Sequence, residues 1–274
     1  MNLNVKTGAT SNDSLDDFAA TPDEQEILNI DGLTSWLDAG GDVIQKNGFR
    51  IRDKISNNLF TVRYLTPPVL TAGTNSKPCL QMGYGDSDFD GTDRGAIRPQ
   101  FDVDMIAPSG FTVFSVVRVP TVASGDSATL GGYVWSSRGA SSSETPGLNI
   151  SGSTGRPIFR SGGATVSNPD GFDARDGEWH IIRNYHDLST DTIGTNIDRD
   201  RADGTATGAT VPPDSSVAGM LSPLIGGFLN TSGVLSSPYY GQIASILFFN
   251  RALTAGEIAT VENYLSSEFG VTLV

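Results

Sequence analysis

Asp86-Ser87-Asp88-Phe89-Asp90-Gly91 sets carboxylates at alternate positions ahead of a glycine. Alternate carboxylates converge on one point and the glycine allows a sharp turn, which is the chemistry of the first half of a calcium loop. The position where a bidentate glutamate would close such a loop is Ile97, so this is not an EF-hand; Asp93 offers a replacement oxygen. A bound Ca²⁺ and a solvated acidic loop both stay open. The two histidines are His180 and His186. Six residues apart on one strand, they share a face but lie ~20 Å apart by strand rise, too far to chelate one metal. His180 reads as a structural turn residue rather than a catalytic base. No G-x-S-x-G nucleophile elbow occurs. Rings suited to stacking on a sugar are Tyr84, Tyr133, Trp135, Tyr239 and Tyr240. Burial is the default reading of each ring, and Tyr239 and Tyr240 point to opposite faces, so one of them reads as core. Arg156, Arg160, Arg199 and Arg201 fall in polar hairpins, where they read as surface charge or as partners for an acidic segment.

These side chains need a frame. The chain has 274 residues, 32 of them glycine and 14 proline, with a net charge of −13. Such length suits one large β domain, and the glycines and prolines imply many turns. The acidic balance argues against nucleic acid, whose phosphates require a basic surface; it suits a self-repelling, well-solvated exterior. Cys79 is the single cysteine, so no internal disulfide forms, which favours folding in a reducing compartment. The first residues lack an apolar signal-like stretch, and no apolar run reaches membrane-spanning length. The expectation is a product of the cytoplasm with no membrane partner.

Residues 1–26 are polar and acidic, with Leu15 and Phe18 as the apolar anchors. They read as an arm held by the body or by a neighbouring subunit, leaving 27–274 as the folded domain. Strand-like runs then recur: Ile27–Ile30, Leu33–Leu37 after an Asp31-Gly32 turn, Phe49–Ile55, Leu59–Tyr64, Lys77–Gly83, Phe111–Val119, Leu130–Trp135, Gly147–Ile150, Pro157–Phe159, Trp179–Tyr185, a weak one from Thr192 and Leu224–Phe228. Turn signals separate them, with Asp203-Gly204 among the turns, and helical periodicity is nearly absent. The pattern predicts an all-β protein, a two-sheet antiparallel jelly-roll sandwich. Gln242–Asn250 is apolar on both faces, Ile243, Leu247 and Phe249 on one and Ala244, Ile246 and Phe248 on the other, so both faces are covered. After it, Thr254 and Glu257 form a capping box, Leu253 and Ile258 a hydrophobic staple, and Ile258, Val261, Leu265 and Phe269 an apolar stripe. Glu262, Asn263, Ser266 and Glu268 read as its polar surface. Gly270 ends this one short C-terminal helix, and a last strand follows.

The ordered set of Trp36-Leu37-Asp38-Ala39, Gly110–Val119, Asp176–His180, Leu224–Gly227, Gly241–Ala244 and Arg251–Thr254 with Glu257 resembles the concanavalin A-like lectin/glucanase superfamily, in particular its laminin-G-like jelly rolls. The resemblance spans about residues 27–274 and implies two facing antiparallel sheets, with Trp36 and Trp179 in the core. Members bind sugars, cut glucans or fill space in larger assemblies, and the fold does not choose among them. Glucanases of this group carry a Glu-x-Asp-x-(x)-Glu run on one strand, which sets paired carboxylates on one face; that run does not occur here, Glu24 and Glu26 lying in the arm, so the expectation is a non-enzyme whose one cofactor candidate is Ca²⁺. The opening and closing motifs are similar to those of phage virion proteins and bacterial surface proteins, and the lone cysteine and acidic arm fit the former better. That implies a virion structural protein assembled in the host cytoplasm, as capsid decoration or tail-fibre component. Its implied partners are other virion proteins and itself, as a homo-oligomer such as a trimer. The alternative is a carbohydrate-binding adhesin module for host surface glycans, and a glycan hydrolase ranks below both.

Overall fold

A computed structural model describes residues 20–41, 43–44, 49–62, 67–82, 96–100, 105–107, 109–121, 131–137, 146–167, 171–209, 223–229 and 235–274. In chain order the elements are α1 (Pro22–Leu28), β1 (Leu33–Asp38), β2 (Val43–Ile44), β3 (Arg50–Arg52), β4 (Leu59–Val62), β5 (Val69–Ala72), β6 (Pro78–Met82) and β7 (Ile97–Pro99). Then come β8 (Gly110–Arg118), β9 (Gly132–Ser137), β10 (Gly147–Ile150), β11 (Pro157–Ser161), β12 (Ala164–Ser167), β13 (Trp179–Asp187), β14 (Thr192–Ile197) and β15 (Ala202–Thr207). The chain closes with β16 (Pro223–Ile225), β17 (Phe228–Leu229), β18 (Leu235–Ser236), β19 (Gly241–Phe249) and α2 (Ala255–Phe269).

The predicted all-β sandwich is what forms. Among the described residues, one antiparallel sheet, sheet A, runs β15-β14-β13-β8-β19-β6-β5, with β1 also pairing with β19. The other, sheet B, runs β12-β11-β10-β9-β16-β7-β4-β3-β2, and β17–β18 is a separate hairpin. Between the sheets lies the main core, to which β8 contributes Phe111, Val113 and Val117, β19 contributes Ile243, Ile246 and Phe248, and sheet B contributes Phe60, Ile97, Trp135, Leu148 and Phe159. The opposite face of sheet A carries Trp36, Phe114, Val116, Ile181, Leu247 and Phe249, and the helices cover it with Ile27 of α1 and Val261, Tyr264, Leu265 and Phe269 of α2. The strand β19 is therefore enclosed on both sides, as its composition requires, by a sheet on one face and helices on the other. The expected division of its residues between faces is corrected at one point. A register shift between Ile243 and Ser245 turns Ile243 to the side of Ile246 and Phe248 and Ala244 to the side of Leu247 and Phe249, because a bulge adds one residue and inverts the alternation beyond it.

The capping box of α2 is complete: Thr254 accepts from the Glu257 N–H, Glu257 accepts from the Thr254 N–H at 2.9 Å, and Gly270 ends the helix at φ 66°. Its stripe packs as predicted, and Tyr264 adds an edge-on contact with Trp36 at 5.5 Å. Three expectations fail nearby. Ile27–Ile30 is not a strand: residues 22–28 form α1, so the expected boundary between arm and domain at residue 26 falls inside a helix. Thr21 and Glu24 make the same reciprocal cap as in α2, with Pro22 in the first turn. Residues 271–274 form no strand; Val274 instead donates its N–H to the Asp198 carbonyl. Asp203-Gly204 lies within β15, while the turn falls at 198–201, where Asp198 and Arg199 take positive φ.

Candidate contact face

Two surfaces of the sandwich carry polar side chains in quantity: the seam where sheet A meets its helices, and the outer face of sheet B.

At the seam the charges are engaged inside the chain. Lys54 reaches Glu24 of α1 at 3.0 Å and Asp38 of β1 at 2.7 Å, and lies 4.4 Å from the Trp36 ring centre. Burial pulls the Lys54 pKa down, but the two carboxylates outweigh it and the net shift is upward. Glu24 moves the other way: partial burial raises its pKa, and the Thr21 N–H and Lys54 carry it below its ordinary value. Asp53, 1 % exposed, accepts the N–H groups of Trp36 at 3.1 Å and Ile55 at 2.8 Å and the Ser56 hydroxyl at 3.0 Å. Glu262 is the clearest surprise on α2: expected at the surface, it is 2 % exposed and accepts from Arg183 at 3.0 Å and Arg199 at 3.2 Å. A carboxylate is stable there because two guanidiniums meet it. At the head of α2, Arg251 and the Thr254 N–H hold Glu257 down at about 2.

Both histidines face the core from β13. His180 lies within the strand rather than at a turn, correcting the expectation while keeping its structural character. Its Nδ1 is 2.8 Å from Asp198 and its Nε2 is 3.0 Å from Asp176, with Phe172 edge-on at 5.0 Å. Burial lowers its pKa, and the two aspartates more than reverse this, for a net rise. His186 has no carboxylate at hydrogen-bond distance: Ser161 of β11 lies 2.8 Å from Nδ1 and the Ala209 carbonyl 3.1 Å from Nε2. Burial therefore dominates and its pKa falls, the Ala209 carbonyl only partly offsetting it. Ser161, His186, His180 and Asp198 are each at most 1 % exposed, and Asp176, at 36% side-chain exposure, is the member that reaches the surface. They are ties: Ser161 and His186 join sheet B to sheet A, and Asp198 joins the β14–β15 turn to β13.

The rings expected to stack on sugars fall differently. Trp135 and Tyr239 are 0 % exposed and fill the core, where no sugar reaches them, and Tyr240 is 7 % exposed. The Tyr239 hydroxyl donates to the Arg118 carbonyl at 3.2 Å, and full burial raises its pKa. Trp135 and Tyr239 are corrected from stacking candidates to core residues, and Tyr240 is largely buried without joining that core. Tyr133 is 6 % exposed but on the other side of the sheet. A register shift between Leu148 and Asn149 leaves Val134 and Trp135 both in the core, so Tyr133 turns outward. There it stacks on Phe228 at 5.1 Å and 27° and accepts from Arg160 Nη1 at 2.8 Å. Tyr84, the acidic loop Asp86, Asp88, Asp90 and Asp93, and the arm residues Leu15 and Phe18 lie outside the described residues. Among the described residues no group of three His, Cys, Asp or Glu side chains is placed to hold a metal ion. Of the arginines considered as partners for an acidic segment, Arg199 and Arg201 are taken up by Glu262 and Asp198.

The outer face of sheet B is what the sequence reading missed. Cross-strand register aligns Arg50, Thr61, Arg98, Leu224, Ser136, Gly147, Arg160 and Thr165 on this face. Arg52, two residues from Arg50, shares it. The strands of sheet B hold these four arginines and no Asp or Glu. The β17–β18 hairpin lies over the middle of the row, with Leu229 and Leu235 on Leu224.

No protein-family model and no curated protein sequence matches the chain. Solved structures do match in shape. The binding domain of botulinum neurotoxin serotype G superposes with a TM-score of 0.54 at 12% identity, over 86% of this chain and 51% of that one. The binding domain of Paraclostridial mosquitocidal protein 1 gives 0.56 at 14%, over 86% and 52%. Trypanosoma rangeli sialidase, in complex with 2,3-difluorosialic acid, gives 0.50 at 13%, over 86% and 33%. The chain thus spans about half the length of the two binding domains and a third of the sialidase. At these identities the likeness is one of fold: the chain is a β-sandwich of the kind that those proteins contain.

Proposed function

We propose that this chain is a non-catalytic contact module: a rigid lectin-type sandwich that holds one sheet face toward a partner while helices seal the other. The observation that carries this reading is the engagement of the buried ionisable groups. Asp53, His180, His186, Asp198 and Glu262 are each at most 2 % exposed and each hydrogen-bonded within the chain. Glycosidic hydrolysis needs two opposed carboxyl groups about 5–10 Å apart across an open cleft, and these groups are enclosed instead. The setting proposed is a phage particle, as head decoration or tail-fibre component, with the acidic arm and a sheet face docking on neighbours in a homo-oligomer, a trimer being the expected form. A second reading, an adhesin module for surface glycans, is favoured by the Tyr133–Phe228 ring pair beside Arg160. Incubating the chain with host polysaccharide and counting new reducing ends tests the shared core of both. No release is expected; turnover that grows with protein concentration rules the non-catalytic reading out.

A further inference from the structure

The arginines of this protein are segregated in a way its overall charge does not require. A chain of net charge −13 has carboxylates to spare, yet all four charged residues in the strands of sheet B are outward arginines. From Arg160 to Arg50 the row crosses six strand spacings, roughly 30 Å. Strands that contribute arginines and no acids of their own, in an acidic molecule, favour an anion, and Arg160 is the member of the row whose surroundings are described in full.

One end of the row is also shaped. Arg160 faces Gly147 across the β10–β11 ladder, and with no side chain there the guanidinium crosses to the Tyr133 hydroxyl at 2.8 Å. That hydroxyl is the side-chain partner of Arg160 among the described residues, and no ion pair forms there. The Tyr133 ring supports Phe228, which is half-buried and so keeps part of its surface in solvent. Asn149, paired with Tyr133 and diagonal to Arg160, carries a half-buried amide that makes no hydrogen bond among the described residues. A held guanidinium suits a carboxylate or sulfate. An amide donates to one hydroxyl and accepts from another. A supported aromatic ring covers the apolar face of a pyranose.

We propose that the outer face of sheet B, at Arg160, Asn149, Tyr133 and Phe228, binds an acidic saccharide, with the sugar acid on Arg160, ring hydroxyls on Asn149 and a pyranose face on Phe228. This rests on the reading of the chain as a contact module and names the partner of that module. Nucleic acid fits less well. Its dense phosphates need a broad basic surface, and here the strongly negative remainder of the chain opposes them.

The test is calorimetric titration of the intact chain with an oligogalacturonate, an oligosialate and a sulfated oligosaccharide. The fully methyl-esterified oligogalacturonate removes charge but keeps the sugar; poly-glutamate and a single-stranded oligonucleotide keep charge without it. The expected result is binding of at least one acidic oligosaccharide. For oligogalacturonate that affinity is at least tenfold above its ester, and for every binder it exceeds both sugar-free polyanions. Arg160→Ala is expected to weaken the affinity at least tenfold. Thr165→Glu, at an exposed position paired with Arg160, sets a carboxylate beside the guanidinium without touching the Tyr133 contact. It is expected to weaken binding similarly, which covers an Arg160→Ala variant that melts early. The proposal is overturned if no acidic oligosaccharide binds, if the ester binds as well, if Thr165→Glu binds like the parent, or if poly-glutamate or the oligonucleotide binds more tightly. Reducing ends counted in the same samples separate the two levels: cleavage overturns the contact reading, whereas absent or unselective binding without cleavage overturns the acidic-saccharide assignment alone.

Discussion

His180 and His186 face the same interior from one strand, yet their protons are held in opposite senses. The folded state binds a proton on His180 more tightly than the unfolded chain does, whose ordinary value is 6.5. The stability it contributes is fully present below that value and is lost as pH rises through the raised folded pKa. The folded state resists protonating His186, so stability is lost as pH falls from 6.5 toward its lowered folded pKa. Urea midpoints from about pH 5 to pH 8.5 read both effects. The gap between the parent and His180→Asn is expected to be widest in acid and to narrow toward alkaline pH. His186→Asn is expected to remove an acid-side loss that the parent shows. At Glu262 the prediction is plainer. Its removal leaves Arg183 and Arg199 facing a vacated site, with side-chain exposures of 15% and 36%. Glu262→Ala is expected to cost about 1.5–3 kcal/mol, nearer the lower figure because Arg199 is already partly hydrated, read from the same denaturation curves.

At the scale of elements, caps and bulges decide where side chains point. Thr21→Ala removes the N-cap of α1 and is expected to cost about 1 kcal/mol, with α1 amides exchanging faster in hydrogen-exchange measurements. Gly132 starts β9 at φ 103°, and a Cβ there would come within 1.9 Å of the Pro238 carbonyl oxygen. Gly132→Ala is therefore expected to lower stability by at least ~2 kcal/mol in thermal or urea unfolding. This strand also marks what the sequence displays and what it hides. Helix α2 was legible because Thr254, Glu257, the apolar stripe and Gly270 are all local signals. Helix α1 carries the same Thr-x-x-Glu signal at Thr21 and Glu24, but only one short apolar stretch follows it, so Ile27–Ile30 resembled a strand. Tyr133 could not be assigned to a face at all: alternation with Trp135 places it in the core, and only the bulge against β10 turns it out. The facing of Ile243 was hidden for the same reason. Glu262 read as surface because helix periodicity places it beside the stripe, and its two arginine partners come from a strand and a turn far away in sequence.

At the scale of the whole molecule, the two sheets divide labour. Sheet A is covered on both sides, by sheet B and by the helices, and the charges described at its helix seam are paired within the chain. Sheet B is covered on its inner side, while its outer side bears the β17–β18 hairpin and the arginine row. No helix among the described residues is long and apolar enough to cross a membrane. The two-layer architecture was legible from recurrent short apolar runs between turn signals, since any such chain must bury those runs in facing sheets. The arginine row on the outer face of sheet B was not, because Arg50, Arg98 and Arg160 lie on separate short strands that only pairing brings together. The most direct measurement is an arginine footprint: phenylglyoxal modification of the intact chain, read by peptide mass, with and without a saturating acidic oligosaccharide. The saccharide is expected to slow modification of Arg160 and to leave Arg199 and Arg251, on the helix side, unchanged. Protection confined to the helix-side arginines, with Arg160 reacting as before, contradicts the acidic-saccharide assignment.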